Sequence, residues 1–277
     1  MLKFLLPLMV FAATSSVVRA ECGSIDNACL VDDGSYLIAL PEGDAKGSIV
    51  FLHGFGGSSK GTLGMSWVKD ALARGYAVIG PNGTVGDNSQ SPRRWSFHPD
   101  WVQERDEIAF LSSVRDDAAA RFDLDAETMA LGGFSIGGSM TSYIACAAPE
   151  SFKAYLPVAG GFWRPHPTQC QGPVRLLHTH GWTDTTVPLE GRVVRGEDIN
   201  DPNAFVQGDI FYTMSVWRDV NECLQIRADD FVTKGAFMRR SWARCSAGSA
   251  LEFALFPGGH RVPVGWAEMA IEWLETL

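Results

Sequence analysis

The 277-residue sequence has no run of the roughly 18 apolar residues that a membrane-spanning helix requires. It is also short of positive charge: 23 Lys and Arg stand against 32 Asp and Glu. Nucleic acids and anionic membranes are held through basic patches, so neither is an expected partner. No Cys-x-x-Cys spacing occurs, which argues against zinc and thiol-redox chemistry. Internal repeats, low-complexity tracts and a Pro/Thr-rich linker are absent too, so no appended binding module is expected.

What is present begins with a leader. Lys3 precedes the uncharged apolar run 4–13, and Val18-Arg19-Ala20 has the small and β-branched pattern of a cleavage site. Residues 1–20 are therefore expected to be a signal peptide, and 21–277 a single domain outside the cytoplasm, secreted or periplasmic. Six cysteines in an exported chain suggest three disulfides. Pairing of neighbours is favoured: Cys22–Cys29, Cys146–Cys170 and Cys223–Cys245.

Short apolar runs alternate with longer amphipathic stretches, the pattern of a mostly parallel sheet with helices on both faces. Strands are expected over 36–40, 48–52, 76–79, 128–131, 154–158, 174–179 and 251–256. Helical periodicity covers 63–73, 101–122, 136–147, 211–220 and 263–277. Two polar segments, 82–99 and 190–208, read as long loops, and Asn82-Gly83 reads as a turn.

Gly133-Phe134-Ser135-Ile136-Gly137 matches G-x-S-x-G. Such a pattern arises by chance on the order of 0.2 times in a chain of this length, and Gly57-Ser58-Ser59-Lys60-Gly61 is a second match. Context separates them. A nucleophile elbow needs a strand running in and a helix running out. Ser135 has both, whereas Ser59 follows only a glycine loop. A serine hydroxyl also needs a base within hydrogen-bond reach. Asp184 and His260 each follow an expected strand, in the order nucleophile, acid, base, which places all three at one sheet edge. His98 and His166 are rival bases, but neither follows a strand; Glu190 and Asp198 are rival acids. His178 and His180 share one side of a strand; packing and hydrogen bonding beneath the acid loop is preferred to metal ligation.

An acyl-transfer site also needs N–H donors aimed at the developing oxyanion. The loop His53-Gly54-Phe55-Gly56-Gly57 follows a strand, and the backbone N–H groups of Phe55 and Ile136 are assigned this role. His53 reads as a loop-stabilising side chain. Trp95, Trp163 and Trp182 lie in loops at the same edge and are candidates for an apolar substrate platform. No cofactor or metal is implied.

These motifs resemble the polyhydroxybutyrate depolymerase and feruloyl esterase-like group of α/β-hydrolases. The resemblance runs from about Tyr36 to the C-terminus. It is carried by His53-Gly54, Gly133-x-Ser135-x-Gly137-Gly138-Ser139-Met140, His180-Gly181-x-x-Asp184-x-x-Val187-Pro188, Trp217-x-x-x-Asn221-x-Cys223 and Gly259-His260, with Asp106-Glu107-Ile108-Ala109-Phe110 as an acidic helix start. It implies the α/β-hydrolase fold, a secreted serine esterase with the triad Ser135, Asp184 and His260, and the Cys223–Cys245 bridge. The group often has Trp-Pro-Gly after its histidine, whereas this chain has Arg261-Val262-Pro263-Val264, so the substrate is less defined than the reaction. Polyhydroxybutyrate-type oligoesters are the first expectation and feruloyl or acetyl-sugar esters the alternative. A serine peptidase and a non-catalytic binding protein are more distant readings.

Overall fold

A computed structural model describes residues 22–86, 91–201 and 204–277. The expected leader 1–20, the expected mature N-terminus Glu21 and Pro202 lie outside the described residues. The strands are β1 (Cys29–Val31), β2 (Gly34–Ala39), β3 (Gly47–Leu52), β4 (Tyr76–Pro81), β5 (Ala130–Phe134), β6 (Ala154–Val158), β7 (Arg175–Gly181), β8 (Arg192–Val193), β9 (Val206–Gln207), β10 (Asp230–Lys234), β11 (Phe237–Trp242) and β12 (Ala250–Phe256). The helices are α1 (Ser59–Leu63), α2 (Ser66–Ala73), α3 (Glu107–Phe122), α4 (Ile136–Ala147), α5 (Ile210–Val220) and α6 (Trp266–Leu274).

Ten strands form one sheet in the order β1-β2-β4-β3-β5-β6-β7-β12-β11-β10. Neighbours from β4 to β12 in that order pair in parallel, and the pairs outside them are antiparallel. Successive strand side chains point to opposite faces, so β3 divides itself between two cores. Ile49 and Phe51 pack against Trp67, Val68 and Ala71 of α2 and Trp266 of α6. Val50 and Leu52 belong to the other core, with Phe110 and Val114 of α3, Met140 and Ile144 of α4 and Trp217 of α5. Phe51, Trp67 and Trp266 meet ring to ring, with centroids 4.7 to 5.2 Å apart. The fold is that of an α/β-hydrolase, a mostly parallel sheet with helices on both faces.

All seven expected strands form, 154–158 over its expected range and the others with shifted ends. The strand before Ser135 runs over Ala130–Phe134 rather than 128–131, because Thr128 closes a short 3-10 turn capped by Asp125. The expected helix 101–122 starts only at Glu107, where the Asp106 side chain accepts the Ala109 N–H as an N-cap. The helix expected over 63–73 is two helices, α1 and α2, separated at Gly64-Met65. The segment 190–208 is not wholly irregular: β8 pairs with β9 to close its base. The three neighbour disulfides, Cys22–Cys29, Cys146–Cys170 and Cys223–Cys245, are all formed.

Candidate active site

The parallel register decides which loops meet. Pairing of β3 with β5 sets Leu52 beside Gly133, so the loop after β3 runs past the turn after β5. Pairing of β7 with β12 sets Gly181 beside Phe256, which brings the Asp184 and His260 turns together. Backbone bonds from Trp182 N–H to Phe256 O and from Thr183 N–H to Gly258 O, 2.9 and 3.0 Å, join these two turns.

Ser135 sits between β5 and α4 with φ 60° and ψ −122°, a conformation that L-residues avoid. Two glycines make the tight elbow sterically feasible. A Cβ on Gly133 would meet Gly137 O at 2.3 Å, and one on Gly137 would meet Leu52 O at 2.4 Å. The Ser135 N–H donates to Val158 O at 2.9 Å, which ties the strained turn to β6.

His260 Nε2 lies 2.9 Å from Ser135 Oγ, and His260 Nδ1 lies 2.7 Å from Asp184 Oδ2. The other carboxylate oxygen, Oδ1, accepts the N–H groups of Thr186 and Val187 at 2.8 and 2.9 Å. A carboxylate only accepts, so His260 carries its proton on Nδ1 and presents the Nε2 lone pair to the serine hydroxyl. Burial works to raise the Asp184 pKa, but the His260 and Val187 hydrogen bonds, the His260 charge and the Thr186 hydrogen bond outweigh it. The carboxyl is held below its usual range.

Among the described residues, the N–H groups of Phe55 and Ile136 have no acceptor in the protein, whereas the neighbouring Gly56 and Gly57 donate to Arg93 O and Gly54 O. Gly54 runs close against Ser135: a Cβ there would lie 3.3 Å from Ser135 Cβ. Ile136 is the first residue of α4, whose opening N–H groups lack intrahelical acceptors.

The rival candidates stand apart from this group. Ser59 is buried at the start of α1, its N–H donating to Asn82 Oδ1. His98 is buried against Trp101, and His166 packs on Tyr212. Glu190 and Asp198 are exposed and lie in the segment beyond the acid turn. His178 and His180 stack beneath that turn, joined by a 3.1 Å hydrogen bond, and His180 Nε2–H donates to Val187 O at 2.8 Å.

The tryptophan platform needs correction. Trp95 is 2% exposed and its indole N–H donates to His53 O at 2.9 Å, so it packs behind the loop after β3. Trp163 is also buried, with its N–H on Ser139 Oγ and its ring among Phe97 and Trp101. Only Trp182 keeps an open face, at 59% exposure; Phe55, which sequence reasoning took only as a backbone donor, is 64% exposed. Loop position alone does not distinguish a wall residue from a core residue. A cavity of about 840 Å3, lined in part by Phe97, Met140, Tyr143, Ile144, Pro165 and His166, lies along the flank of α4. None of Ser135, Asp184 and His260 lines it.

The probable feruloyl esterase C of Aspergillus terreus is 25% identical over 91% of this chain and 87% of its own length. The feruloyl esterase C of Emericella nidulans is 24% identical over 83% of this chain and 77% of its own. An acetyl xylan esterase structure from Aspergillus awamori shares the fold, with a TM-score of 0.61 at 15% identity, covering 88% of this chain and 95% of that one. Residues 47–250 match the profile of the alpha/beta hydrolase fold family, and the chain belongs to that family.

Proposed function

We propose that this chain is an exported serine esterase that hydrolyses carboxylic esters through Ser135, His260 and Asp184. The observation that carries the reading is the unbroken hydrogen-bonded line from Ser135 Oγ through the His260 ring to Asp184 Oδ2, 2.9 and 2.7 Å. His260 Nε2 takes the hydroxyl proton as Ser135 Oγ attacks the ester carbonyl carbon. The Phe55 and Ile136 N–H groups receive the oxyanion, and Asp184 stabilises the imidazolium. Collapse of the tetrahedral intermediate breaks the bond to the alcohol oxygen, which takes the proton from His260. Water then attacks the acyl-enzyme with His260 again as base, and the carboxylic acid leaves with Ser135 regenerated.

The curated relatives named as feruloyl esterases, together with the acetyl xylan esterase fold, favour feruloyl or acetyl esters of sugars as substrate. The polyhydroxybutyrate-type substrate is supported by the motif resemblance alone. The open faces of Trp182 and Phe55, beside the acid turn and in the loop after β3, suit a planar acyl group or a sugar ring. Three disulfides suit an oxidising compartment and support the export reading.

The test is a matched substrate panel: methyl ferulate, acetylated xylo-oligomers and hydroxybutyrate oligomers, assayed with the wild type and Ser135→Ala. The reading expects turnover of at least one sugar-type or feruloyl ester and its loss in Ser135→Ala. Preference for hydroxybutyrate oligomers would restore the polyester substrate, and turnover that survives Ser135→Ala would remove the mechanism.

A further inference from the structure

The imidazole of His53 is buried behind the loop after β3, between Gly54 and Gly83, and takes no part in the proton transfers above. It is 1% exposed and makes two hydrogen bonds: Nδ1 lies 2.8 Å from Gly54 O, and the Gly83 N–H donates to Nε2 at 3.0 Å. Together these fix the tautomer. A backbone N–H only donates, so Nε2 carries a lone pair; a carbonyl only accepts, so Nδ1 carries the proton. The ring is neutral: burial pushes its pKa down, and the charges of Arg93 and Arg105 add to this against the opposing Gly54 carbonyl, leaving it at about 4.

Gly54 O belongs to the same peptide group as the Phe55 N–H. A trans peptide is planar, with its carbonyl and N–H pointing in opposite directions. Anchoring the oxygen therefore fixes the direction of the N–H. The oxygen is anchored twice, by His53 Nδ1–H and by the Gly57 N–H at 2.9 Å. Hydrogen bonds accepted by a carbonyl also polarise its amide, which strengthens the donor on the other side.

The support continues behind the ring. Trp95 Nε1–H donates to His53 O, and the Gly56 N–H donates to Arg93 O. Arg93 Nη1 in turn donates to Gly83 O, and the buried Arg105, paired with Glu107 at 2.6 Å, donates to Asn82 O. Segments 82–83 and 93–95 thus brace the loop at His53 O, at the Gly56 N–H and at the His53 ring, and of these three links the ring is the one that reaches Gly54 O.

We infer that His53 is a positioning residue, whose Nδ1–H holds the Gly54–Phe55 peptide so that its N–H is aimed and polarised for the oxyanion. The inference rests on the reading of this site as a serine esterase with Phe55 as oxyanion donor. Removing a single oxyanion donor from an enzyme costs about 100- to 1000-fold in kcat, and misaiming one costs up to that.

Two isosteric amides separate this role from packing. Asn at position 53 sets its amide nitrogen near the place of Nδ1 and keeps a donor for Gly54 O. Gln fills more of the ring's volume and offers an acceptor to Gly83, but places no donor at the Nδ1 position. kcat and KM for one ester are measured for His53→Asn, His53→Gln and His53→Leu, with kcat normalised to the end-point of phosphonate labelling. The expected result is kcat for His53→Asn within about tenfold of wild type, with His53→Gln and His53→Leu about 100-fold down and KM within about threefold throughout. Gln equal to or better than Asn, or a loss confined to KM, would overturn the inference while labelling of Ser135 leaves the esterase reading intact. Labelling that persists in Ser135→Ala would instead end that reading. Imidazole nitrogen NMR of the wild type decides independently of any variant. A protonated Nδ1 and bare Nε2 at His53 is expected, and the reverse tautomer overturns the inference.

Discussion

Asp184 Oδ2 and His180 Nε2 stand 3.6 Å apart without a hydrogen bond, because the His180 N–H is directed to Val187 O at 2.8 Å. Val187 returns its own N–H to Asp184 Oδ1 at 2.9 Å. His180 therefore holds the residue that holds the acid, and its remaining nitrogen accepts from His178. Burial pushes both imidazoles toward the neutral form, which keeps this arrangement uncharged beneath the carboxylate.

Removing that support loosens the acid turn and leaves the acid in place. His180→Ala is expected to lower kcat about tenfold, far less than Asp184→Ala. Steady-state kinetics on one ester checks the order; a His180→Ala loss as large as that of Asp184→Ala would make His180 part of the reacting group itself.

Residues that act as one unit are strongly non-additive. Ser135→Ala and His260→Ala are each expected to cost about 10^6 in kcat, and the double variant no more than either alone. Asp184→Asn retains nucleophile and base but presents the wrong partner to Nδ1, so a smaller loss of about 10^4 is expected. A double variant showing the product of the two single losses would contradict a shared role.

Part of the stability lost in acid comes from His53; His98, His166, His178 and His180, which burial also pushes toward the neutral form, add to it in the same direction. The His53 imidazole titrates near 6.5 when unfolded and at about 4 when folded, so between these values the unfolded chain holds a proton that the folded chain refuses. Stability is then full above about pH 6.5, falls as the pH drops, and levels off below about pH 4; the loss from this group is on the order of 3 kcal/mol. Asp184, depressed below its ordinary 3.8, adds a loss only at still lower pH. Denaturant unfolding at pH 7 and pH 4.5 should show a smaller difference for His53→Asn than for the wild type. Equal differences would exclude His53 as a source of the acid sensitivity.

The parallel strands were legible because they are buried on both faces and are mostly apolar; β4 is buried along its whole length, and β7, with His178, Thr179 and His180, departs furthest from an apolar run. The strand β10 was not, since all five of its residues are exposed and carry no alternation. Two-residue strands such as β8 and β9 fall below any periodic signal. At the site, Ser135, Asp184 and His260 could be ordered from their strands alone. The burial of Trp95 and Trp163 depends on how a loop folds back and leaves no local pattern; His53 reads as a loop-stabilising side chain from its place after β3, but its tautomer depends on Gly83 thirty residues away.

The segment after the acid turn gives a selectivity prediction. Phe205 stacks on Trp101 at 5.0 Å and Arg195 lies over Phe205 at 4.1 Å, so the hairpin closed by β8 and β9 is clamped to the loop carrying Trp101. Deleting 197–203 is expected to change kcat/KM for feruloyl esters more than for acetyl esters, with phosphonate labelling unchanged. Equal losses on both would mean damage to the fold, and no change on either would remove this segment from substrate selection.

Export has its own check. Mass spectrometry of the secreted, non-reduced protein should give an N-terminus at Glu21 and no alkylatable thiol; intact Met1 or a free cysteine would contradict the leader or the three bridges.

The most direct test of the account is covalent labelling with a small fluorophosphonate, mapped by peptide mass spectrometry in the wild type, Ser135→Ala and Ser59→Ala. One label per chain is expected on Ser135 in the wild type and in Ser59→Ala, and none in Ser135→Ala. A label that survives in Ser135→Ala, or that maps to Ser59, would contradict the assignment of the nucleophile and with it the triad.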